Sequence, residues 1–190
     1  MLLCALALNV TTIGIPCIYY GSEQGFNGSG PSDCFLREAI FGGEFGSYGS
    51  RQRHFFNENH PVFRELAKIL QMRRQYITLR RGRQYFREIS GPDDGVNFGL
   101  PRPVNGQLRW IIPWSRIFND QEMVLAINTD PDQSHSTWVT IDNSLHRNGE
   151  RLQCLYSTDP AQVGRSVTVE SRNGKAVMLE VPAAGFVIYL

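Results

Sequence analysis

Side chains that could do chemistry are concentrated in a glycine-rich stretch over residues 21–49. Glu23, Asp33 and Glu38 supply carboxylates there, and Arg37 supplies a guanidinium. Two carboxyl groups can act as acid and base, or as nucleophile, only when the surrounding structure fixes both of them. A long loop does not give that precision by itself. The stretch is therefore predicted to bind a ligand or to be a surface loop, and not to be an active site of its own.

An apolar segment over residues 17–20 must position these polar residues. Because its side chains do not alternate between apolar and polar, it is predicted to be a strand covered on both faces, as in parallel sheets. The polar residues follow the carboxyl end of this strand, where α/β proteins form ligand sites. A short buried helix is predicted before it, from Leu2 to about Val10. A parallel sheet needs several strand and helix units, so we expect this chain to be the C-terminal piece of a larger protein.

A second helix is predicted after the loop. Asn59 can cap it, Pro61 suits its first turn, and Gly82 can end it in a left-handed conformation. Its apolar face repeats at helical spacing through Val62, Leu66, Ile69, Leu70, Tyr76 and Ile77. Its polar face is basic, which favours a solvated surface over a nucleic-acid site because no aromatic-rich binding module accompanies it.

From residue 83 onward the pattern is that of an all-β protein. Turn-forming clusters separate short β-rich runs. The runs are Gln84–Ile89, Leu108–Pro113, Met123–Asn128, Thr137–Ile141, Arg151–Tyr156, Ser166–Glu170, Ala176–Val181 and Gly185–Leu190. The clearest hairpin signal is Arg172-Asn173-Gly174 between the sixth and seventh of these runs, because Asn-Gly accepts the positive φ angles of a tight turn. These runs predict an antiparallel sandwich of about eight strands.

Composition and charge exclude several classes of protein. The net charge is +1, which gives no strong field for nucleic acid or an acidic membrane. The 4 cysteines fall singly, without the spacing of a metal site, and are predicted to be buried free thiols, with a disulfide as the alternative. The first 22 residues lack charge, but polar residues and Pro16 interrupt them, which does not fit a spanning helix. A signal peptide needs a basic region at its start, and the first basic residue here is Arg37. We therefore expect no cofactor, no metal, no nucleic-acid partner and no membrane partner, with a cytoplasmic location favoured.

Several stretches resemble the α-amylase superfamily of glycoside hydrolases. Residues 14–25, "GIPCIYYGSEQG", match the pattern G-x-P-x-I-Y-Y-G-x-E at the eighth barrel strand of that family at every fixed position. Asp33 and Arg37 resemble its D-x-x-x-R pair in the following loop. "ILQMRRQYITLRRG" at 69–82 is similar to the last barrel helix and its exit. "PWSRI", "VLAINTD" and "GFVIYL" resemble strands of the β-sandwich that follows the barrel.

The resemblance implies an architecture and an activity. Residues 1–82 would be the end of a (β/α)8 catalytic barrel, and residues 83–190 the C-terminal antiparallel β-sandwich. The parent protein would be a retaining hydrolase or transglycosidase that acts on α-glucan or oligosaccharide substrates through two closely spaced carboxyl groups. In the family those groups lie on earlier barrel strands, so this chain alone would hold no catalytic residue and would be inactive.

The resemblance also implies four substrate-binding residues, namely Tyr20, Glu23, Asp33 and Arg37. Other interpretations stay open for the first two, since Tyr20 can belong to the core and Glu23 can brace the loop by accepting hydrogen bonds.

The alternative is a non-catalytic carbohydrate-binding or structural β-sandwich module. Trp110, Trp114 and Trp138 would offer stacking faces to sugars if exposed, although tryptophans in a sandwich are more often core. Trp110, Ile112 and Trp114 share one strand face by alternation, so we expect all three to be buried or all three to be exposed.

Overall fold

The computed structural model describes residues 1–26, 28, 31–37, 40–41, 54–91, 96–103 and 106–190. Its helices are α1 Leu2–Thr11, α2 Asp33–Leu36, α3 Pro61–Gln75 and α4 Ile77–Arg81, with 3-10 turns at Ser22–Gln24 and Pro160–Gln162. Its strands are β1 Arg83–Phe86, β2 Ile89–Ser90, β3 Phe98–Gly99, β4 Ile111–Phe118, β5 Gln121–Asn128, β6 His135–Thr140, β7 Arg151–Ser157, β8 Ser166–Thr168, β9 Ala176–Val181 and β10 Phe186–Tyr189.

The strands form two antiparallel sheets. The large sheet has the order β1-β4-β5-β10-β7-β8, and the small sheet has the order β3-β2-β6-β9. Every predicted run overlaps a strand, so the antiparallel all-β character of residues 83–190 is confirmed. The first run divides between the two sheets as β1 and β2, and the short strand β3 was not predicted.

The second predicted run ended at Pro113, but β4 continues to Phe118. Proline has no backbone N–H to donate, but Pro113 does not interrupt the pairing of β4 with β1, because β1 pairs only with residues 114–117 of β4. The tight turn at Asn173-Gly174 is confirmed, since its residues have φ angles of 42° and 88°. The predicted hairpin is wrong, because β8 and β9 on either side of the turn belong to different sheets and a single isolated bridge, Glu170 to Ala176, joins the two predicted runs.

Two apolar clusters lie on opposite faces of the large sheet. Strand β5 shows the division, because Met123, Leu125 and Ile127 belong to a cluster shared with α1, α3 and α4. Val124 and Ala126 belong to a second cluster, shared with the small sheet. The large sheet is therefore the middle layer of three, with helices on one face and the small sheet on the other. This explains why β5 reads as a continuous apolar run.

The helix predictions are confirmed in position and corrected in detail. α1 occupies the predicted range, and Pro61 is the first residue of α3, whose cap is His60 and not Asn59. The helix breaks at Tyr76 before α4. Gly82 is not left-handed, since its φ is −62°. A Cβ atom there would lie 2.4 Å from the carbonyl oxygen of Thr78, so close backbone packing is what requires glycine.

Two arginines tie the end of α1 to the rest of the fold. The fully buried Arg116 of β4 donates from Nη1 to the carbonyl of Thr11 at 2.6 Å and from Nη2 to that of Gly82 at 2.8 Å. Arg73 of α3 donates to the carbonyl of Val10 at 2.9 Å. Cations suit the C-terminal end of a helix, where the last carbonyls lack partners. Burial, followed by the charge of Arg73, lowers the pKa of Arg116.

The predicted strand at residues 17–20 is wrong for this structure. No strand forms there, and Ile15 is 97% exposed, Tyr19 52% and Tyr20 47%. A strand needs a neighbour to satisfy its backbone N–H and C=O groups. No described residue pairs with this segment. The exposure of Tyr20 also excludes its assignment to the core.

The cysteine prediction is partly confirmed. Cys4 and Cys154 are buried free thiols, whereas Cys17 is a free thiol on the exposed segment. The Cys4 thiol donates to the carbonyl of Ala184 at 2.7 Å, which links α1 to the residues before β10.

Candidate functional site

A tight turn after the exposed segment positions Tyr20 and Glu23. Gly21 and Gly25 flank the 3-10 turn with φ angles of 87° and 70°, in the left-handed region that favours glycine. Buried Gln24 fixes the turn, because its Oε1 accepts from the backbone N–H of Asn57 at 2.9 Å. Gln24, and not Glu23, therefore braces the turn. Within the described residues Glu23 makes no hydrogen bond or ion pair.

The predicted Asp33 and Arg37 pair lies on α2. Arg37 Nη2 is 3.5 Å from Asp33 Oδ2, and the two side chains are 67% and 79% exposed. Burial and a hydrogen bond with Tyr19 raise the pKa of Tyr20, while the nearby charge of Arg37 acts in the opposite direction. The rings of Tyr19 and Tyr20 are 4.7 Å apart. We call Tyr19, Tyr20, Asp33 and Arg37 the Tyr20 cluster.

The Tyr20 cluster combines aromatic rings with donors and acceptors at the surface. Such groups can stack against a sugar ring and bond its hydroxyls. Glu38, a further predicted carboxylate, lies outside the described residues. No group of His, Cys, Asp and Glu side chains fit for a metal ion occurs in the part of the chain that the structure describes. None of the described helices is long and apolar enough to cross a membrane.

A buried ionic network that sequence reasoning missed joins β4, β5 and the residues before β7. The fully buried Glu122 carboxylate accepts from Arg87 Nη2 at 2.5 Å and lies 3.0 Å from His146 Nε2. His146 Nδ1 lies 3.2 Å from Glu150 Oε1, and Arg87 Nε donates to Ser115 Oγ at 2.7 Å. We call these five residues the Glu122 network. The only sequence signal for it is a lone glutamate at the start of an apolar run.

The network shifts the protonation of its members in opposite directions. Burial alone raises the pKa of Glu122, but hydrogen bonding to His146 and the charge of Arg87 outweigh it and lower that pKa. Burial alone lowers the pKa of His146, but the carboxylates of Glu122 and Glu150 outweigh it and raise that pKa. The network therefore favours an ionised carboxylate facing an imidazolium.

A third polar group lies before β6, where the sequence predicted only a turn. Arg109 Nη2 donates to Asp130 Oδ1 at 2.7 Å and also bonds Asp132. His135 Nε2 lies 3.0 Å from Asp130 Oδ2. The backbone N–H of Asp132 and the side chains of Arg109 and His135 hold the pKa of Asp130 well below its usual range.

The three tryptophans occupy three different environments. Trp114 is buried in the cluster beneath the helices, and the partly buried Ile112 packs against that cluster, whereas Trp110 packs against the cluster between the sheets. The predicted common face is therefore wrong for Trp110, because it precedes β4 and escapes the alternation of that strand. Trp138 is partly exposed on β6 and carries the Arg172 guanidinium 4.1 Å above its ring.

Three of the described carboxyl groups have a displaced pKa. Every described carboxyl group with a displaced pKa is displaced downward, namely Glu122, Asp130 and Glu150. Each of them is also held by hydrogen bonds inside the β-sheet region. These groups act as structural anions.

Comparison with known proteins relates the chain to amylases. No profile of a known protein family matches it. It is 28% identical over 166 residues to the beta/alpha-amylase of Paenibacillus polymyxa, and the aligned region covers 87% of this chain and 11% of that protein. It is 31% identical over 86 residues to alpha-amylase mde5 of Schizosaccharomyces pombe, covering 45% of this chain and 14% of that protein.

The fold agrees with this relation. The native debranching enzyme of Nostoc punctiforme superposes with a TM-score of 0.61 at 22% identity, over 99% of this chain and 30% of that one. This likeness concerns the fold alone. The chain spans less than a third of the solved enzyme and less than a sixth of the two curated relatives. The chain is thus related to the α-amylase family and corresponds to only a part of these proteins.

Proposed function

We propose that the chain is the C-terminal portion of a retaining glycoside hydrolase or transglycosidase that acts on α-glucans. In this proposal residues 1–82 complete a (β/α)8 barrel, and residues 83–190 form the β-sandwich domain beside it. The observation that carries the proposal is the sequence relation to the Paenibacillus beta/alpha-amylase, because it extends over 87% of the chain and so includes both parts.

The exposed segment over residues 15–20 supports the barrel assignment. Its sequence has the apolar character of a strand buried on both faces, but Ile15, Tyr19 and Tyr20 are exposed, and only Ile18 packs against the cluster beneath the helices. Contiguous exposed apolar side chains are uncommon on proteins that function alone. Neighbouring strands of a larger protein would pair with this segment and cover it, which would explain why its side chains are apolar.

In the larger protein the Tyr20 cluster and Glu23 would line the rim of the substrate cleft. Arg37 would donate to sugar hydroxyls while Asp33 fixes its orientation, and Tyr20 would offer a ring face. The debranching enzyme of Nostoc punctiforme was solved after soaking with acarbose, which is consistent with an oligosaccharide as the ligand class. The catalytic pair would come from outside the present sequence, so the 190-residue chain alone would not turn over substrate.

The test is to recover the native protein with antibodies raised against this chain. We expect a polypeptide about three times as long as 190 residues, because the chain spans 30% of the Nostoc enzyme. We expect the purified protein to cleave maltoheptaose with retention of the anomeric configuration, which NMR of the first product measures. We expect the recombinant 190-residue chain to be inactive in the same assay. A native polypeptide of 190 residues without activity would contradict the proposal and favour a non-catalytic module.

A further inference from the structure

An arginine-lined cleft lies where α4 passes into β1, beside the turn between β4 and β5. Its volume is about 450 Å³, within the roughly 300–1,000 Å³ of small-molecule sites. The residues that line it are Arg81, Arg83, Tyr85, Ile117, Phe118 and Asn119. We call it the Arg83 cleft. Part of the basic run at the end of the helix therefore faces a concave surface.

Gly82 fixes the chain between the two arginines of the cleft. A Cβ atom at this position would lie 3.0 Å from the carbonyl oxygen of Ile117, so the backbone passes directly against β4. The buried guanidinium of Arg116 donates to the Gly82 carbonyl from Nε at 3.2 Å and from Nη2 at 2.8 Å. Arg83 then pairs with Ile117 in the ladder of β1 and β4. The backbone of the cleft is therefore held before a ligand arrives, which lowers the entropy cost of binding.

The side chains of Arg83 and Tyr85 lie on the same face of the large sheet, because alternate residues of a strand share a face. The register places Ile117 on this face too, opposite to Arg116, which bonds the end of α1. The small sheet leaves this end of the face open, since Tyr85 is 40% exposed and Arg83 is exposed as well. The guanidinium of Arg87 packs over the Tyr85 ring, 5.6 Å from its centroid. The ring is thus supported, while the cleft stays open to solvent.

The positive charge of the cleft is not balanced by carboxylates. Among the described residues, Arg81 and Arg83 form no ion pair and no side-chain hydrogen bond. Arg87, further along the chain, is by contrast paired with Glu122 at 2.5 Å. Asp120 lies on the turn beside the cleft but pairs with neither arginine. Because a guanidinium stays charged at physiological pH, this local excess favours an anionic ligand.

The donors of the cleft suit a phosphate monoester better than a carboxylate. A phosphate monoester carries about −1.5 to −2 charges near pH 7 and three strong acceptor oxygens, whereas a carboxylate has one charge and two oxygens. Two guanidinium groups, the Tyr85 hydroxyl and the Asn119 amide supply two charges and donors for several oxygens. The half-buried Ile117 and Phe118 add an apolar wall for an organic group. Charge and walls together fit a small phosphate ester.

A nucleic-acid strand is a weaker fit for the same place. Such a strand needs a row of cations that follows several phosphates, together with aromatic rings on which successive bases stack. The cleft lining supplies two cations and one exposed ring, that of Tyr85. This set matches a single phosphate group.

We propose that the Arg83 cleft binds the phosphate group of a small phosphate ester. Arg81 and Arg83 donate to the phosphate oxygens, and Ile117 and Phe118 contact the organic part of the ligand. Nucleotides and sugar phosphates share this chemistry, and the experiment separates them. The proposal concerns the junction of α4 with the β-sheets and does not depend on the proposed function.

The test is calorimetric titration of the 190-residue chain with AMP and with glucose 6-phosphate, beside adenosine and glucose as counterparts without phosphate. We expect at least one ester to bind, and to bind at least about tenfold more tightly than its own counterpart. The tighter of the two esters identifies the organic part.

Substitutions then locate the site. Arg83→Gln should weaken binding of the tighter ester about tenfold, and Arg83→Gln combined with Arg81→Gln about a hundredfold. Tyr85→Phe, which keeps the ring and removes the hydroxyl, should weaken it about threefold. The matched control is Arg74→Gln, because it removes the same charge from an exposed position of α3 outside the cleft, and it should leave the affinity unchanged.

Circular dichroism compares the folding of each variant, and Arg81→Gln alone serves as a second variant if Arg83→Gln disturbs β1. Equal weakening by Arg83→Gln and Arg74→Gln would overturn the proposal, because it would show attraction to overall charge and not to a site. Failure of both esters to bind at millimolar concentration would also overturn it. Tighter, Arg83-dependent binding of a single-stranded oligonucleotide than of either ester would do the same, since the cleft would then belong to a nucleic-acid surface. None of these results touches the proposed function, which the size and activity of the native protein decide.

Discussion

Residues 15–20 and strand β5 are both apolar, but their surroundings differ. Strand β5 pairs with β4 on one side and with β10 on the other, and both of its faces are buried. Residues 15–20 pair with no strand in the described chain, and Ile15 is 97% exposed. An apolar run is therefore buried only where the chain also supplies its neighbours. The sheets satisfy this condition, and the segment before the Tyr20 cluster does not.

Limited proteolysis with chymotrypsin should show the largest difference between the two regions. We expect cleavage after Tyr19 or Tyr20 to precede cleavage after Tyr156 or Phe186 by orders of magnitude, because the second pair becomes accessible only on global unfolding. Mass spectrometry of the fragments over time measures this. Equal rates would mean that residues 15–20 are protected in solution. α1 should remain bound after the first cut, because its buried face packs against α3 and the sheet.

Glu122→Ala should destabilise the fold far more than the loss of any exposed ion pair. It leaves the partly buried Arg87 without its carboxylate and the buried His146 with Glu150 alone, and removal of one partner of a buried ion pair costs about 3–5 kcal/mol. Urea unfolding followed by tryptophan fluorescence measures the free energy of unfolding. Glu170→Ala is the matched control, since its pair with Arg172 is exposed. A loss below about 1 kcal/mol would show that the network is not coupled to folding.

Arg116→Ala should separate α1 from the large sheet. The change leaves the carbonyls of Thr11 and Gly82 without their donor, and each unsatisfied buried acceptor costs about 1–3 kcal/mol. We expect a total loss of about 3 kcal/mol and faster proteolysis within α1. Exposed Arg74→Ala is the control and should change stability by less than about 0.5 kcal/mol. Proteolysis of α1 at the unmodified rate would contradict the anchoring role of Arg116.

The Glu122 network and the hydrogen bonds of Arg116 also show the limit of what the sequence predicts. The apolar run Met123–Asn128 and the position of Pro61 predicted strand and helix, because such local patterns depend on nearby residues. The bond of Arg116 to Thr11 joins residues 105 positions apart, and that of Glu122 to His146 joins residues 24 apart. No local sequence pattern predicts such a distant partner. The same reason made residues 17–20 look buried, since the pattern describes the side chains but not their neighbours.

Stability should decline on both sides of neutral pH because of the Glu122 network. The folded-state pKa of His146 is raised, so its contribution is complete below its ordinary value of 6.5 and is lost as pH rises through the folded value. The folded-state pKa of Glu122 is lowered, so its contribution is present above 4.5 and is lost as pH falls through the folded value. Thermal unfolding across pH measures both. His146→Gln should flatten the alkaline side, and an unchanged profile in this variant would contradict the assignment.

The smallest effect on stability is expected for Arg37→Ala in the Tyr20 cluster. This substitution distinguishes a binding role of Arg37 from a structural role. Arg37→Ala removes an ion pair whose members are 67% and 79% exposed, and such pairs contribute about 0–1 kcal/mol. We expect less than about 0.5 kcal/mol of change in the free energy of unfolding. In the larger protein of the proposed function, the same substitution should raise KM for maltoheptaose while leaving stability intact. Arg74→Ala on α3 is the charge-matched control for both measurements. A clear loss of stability with an unchanged KM would instead make Arg37 part of the scaffold, and the exposed rings of Tyr19 and Tyr20 would then need another explanation.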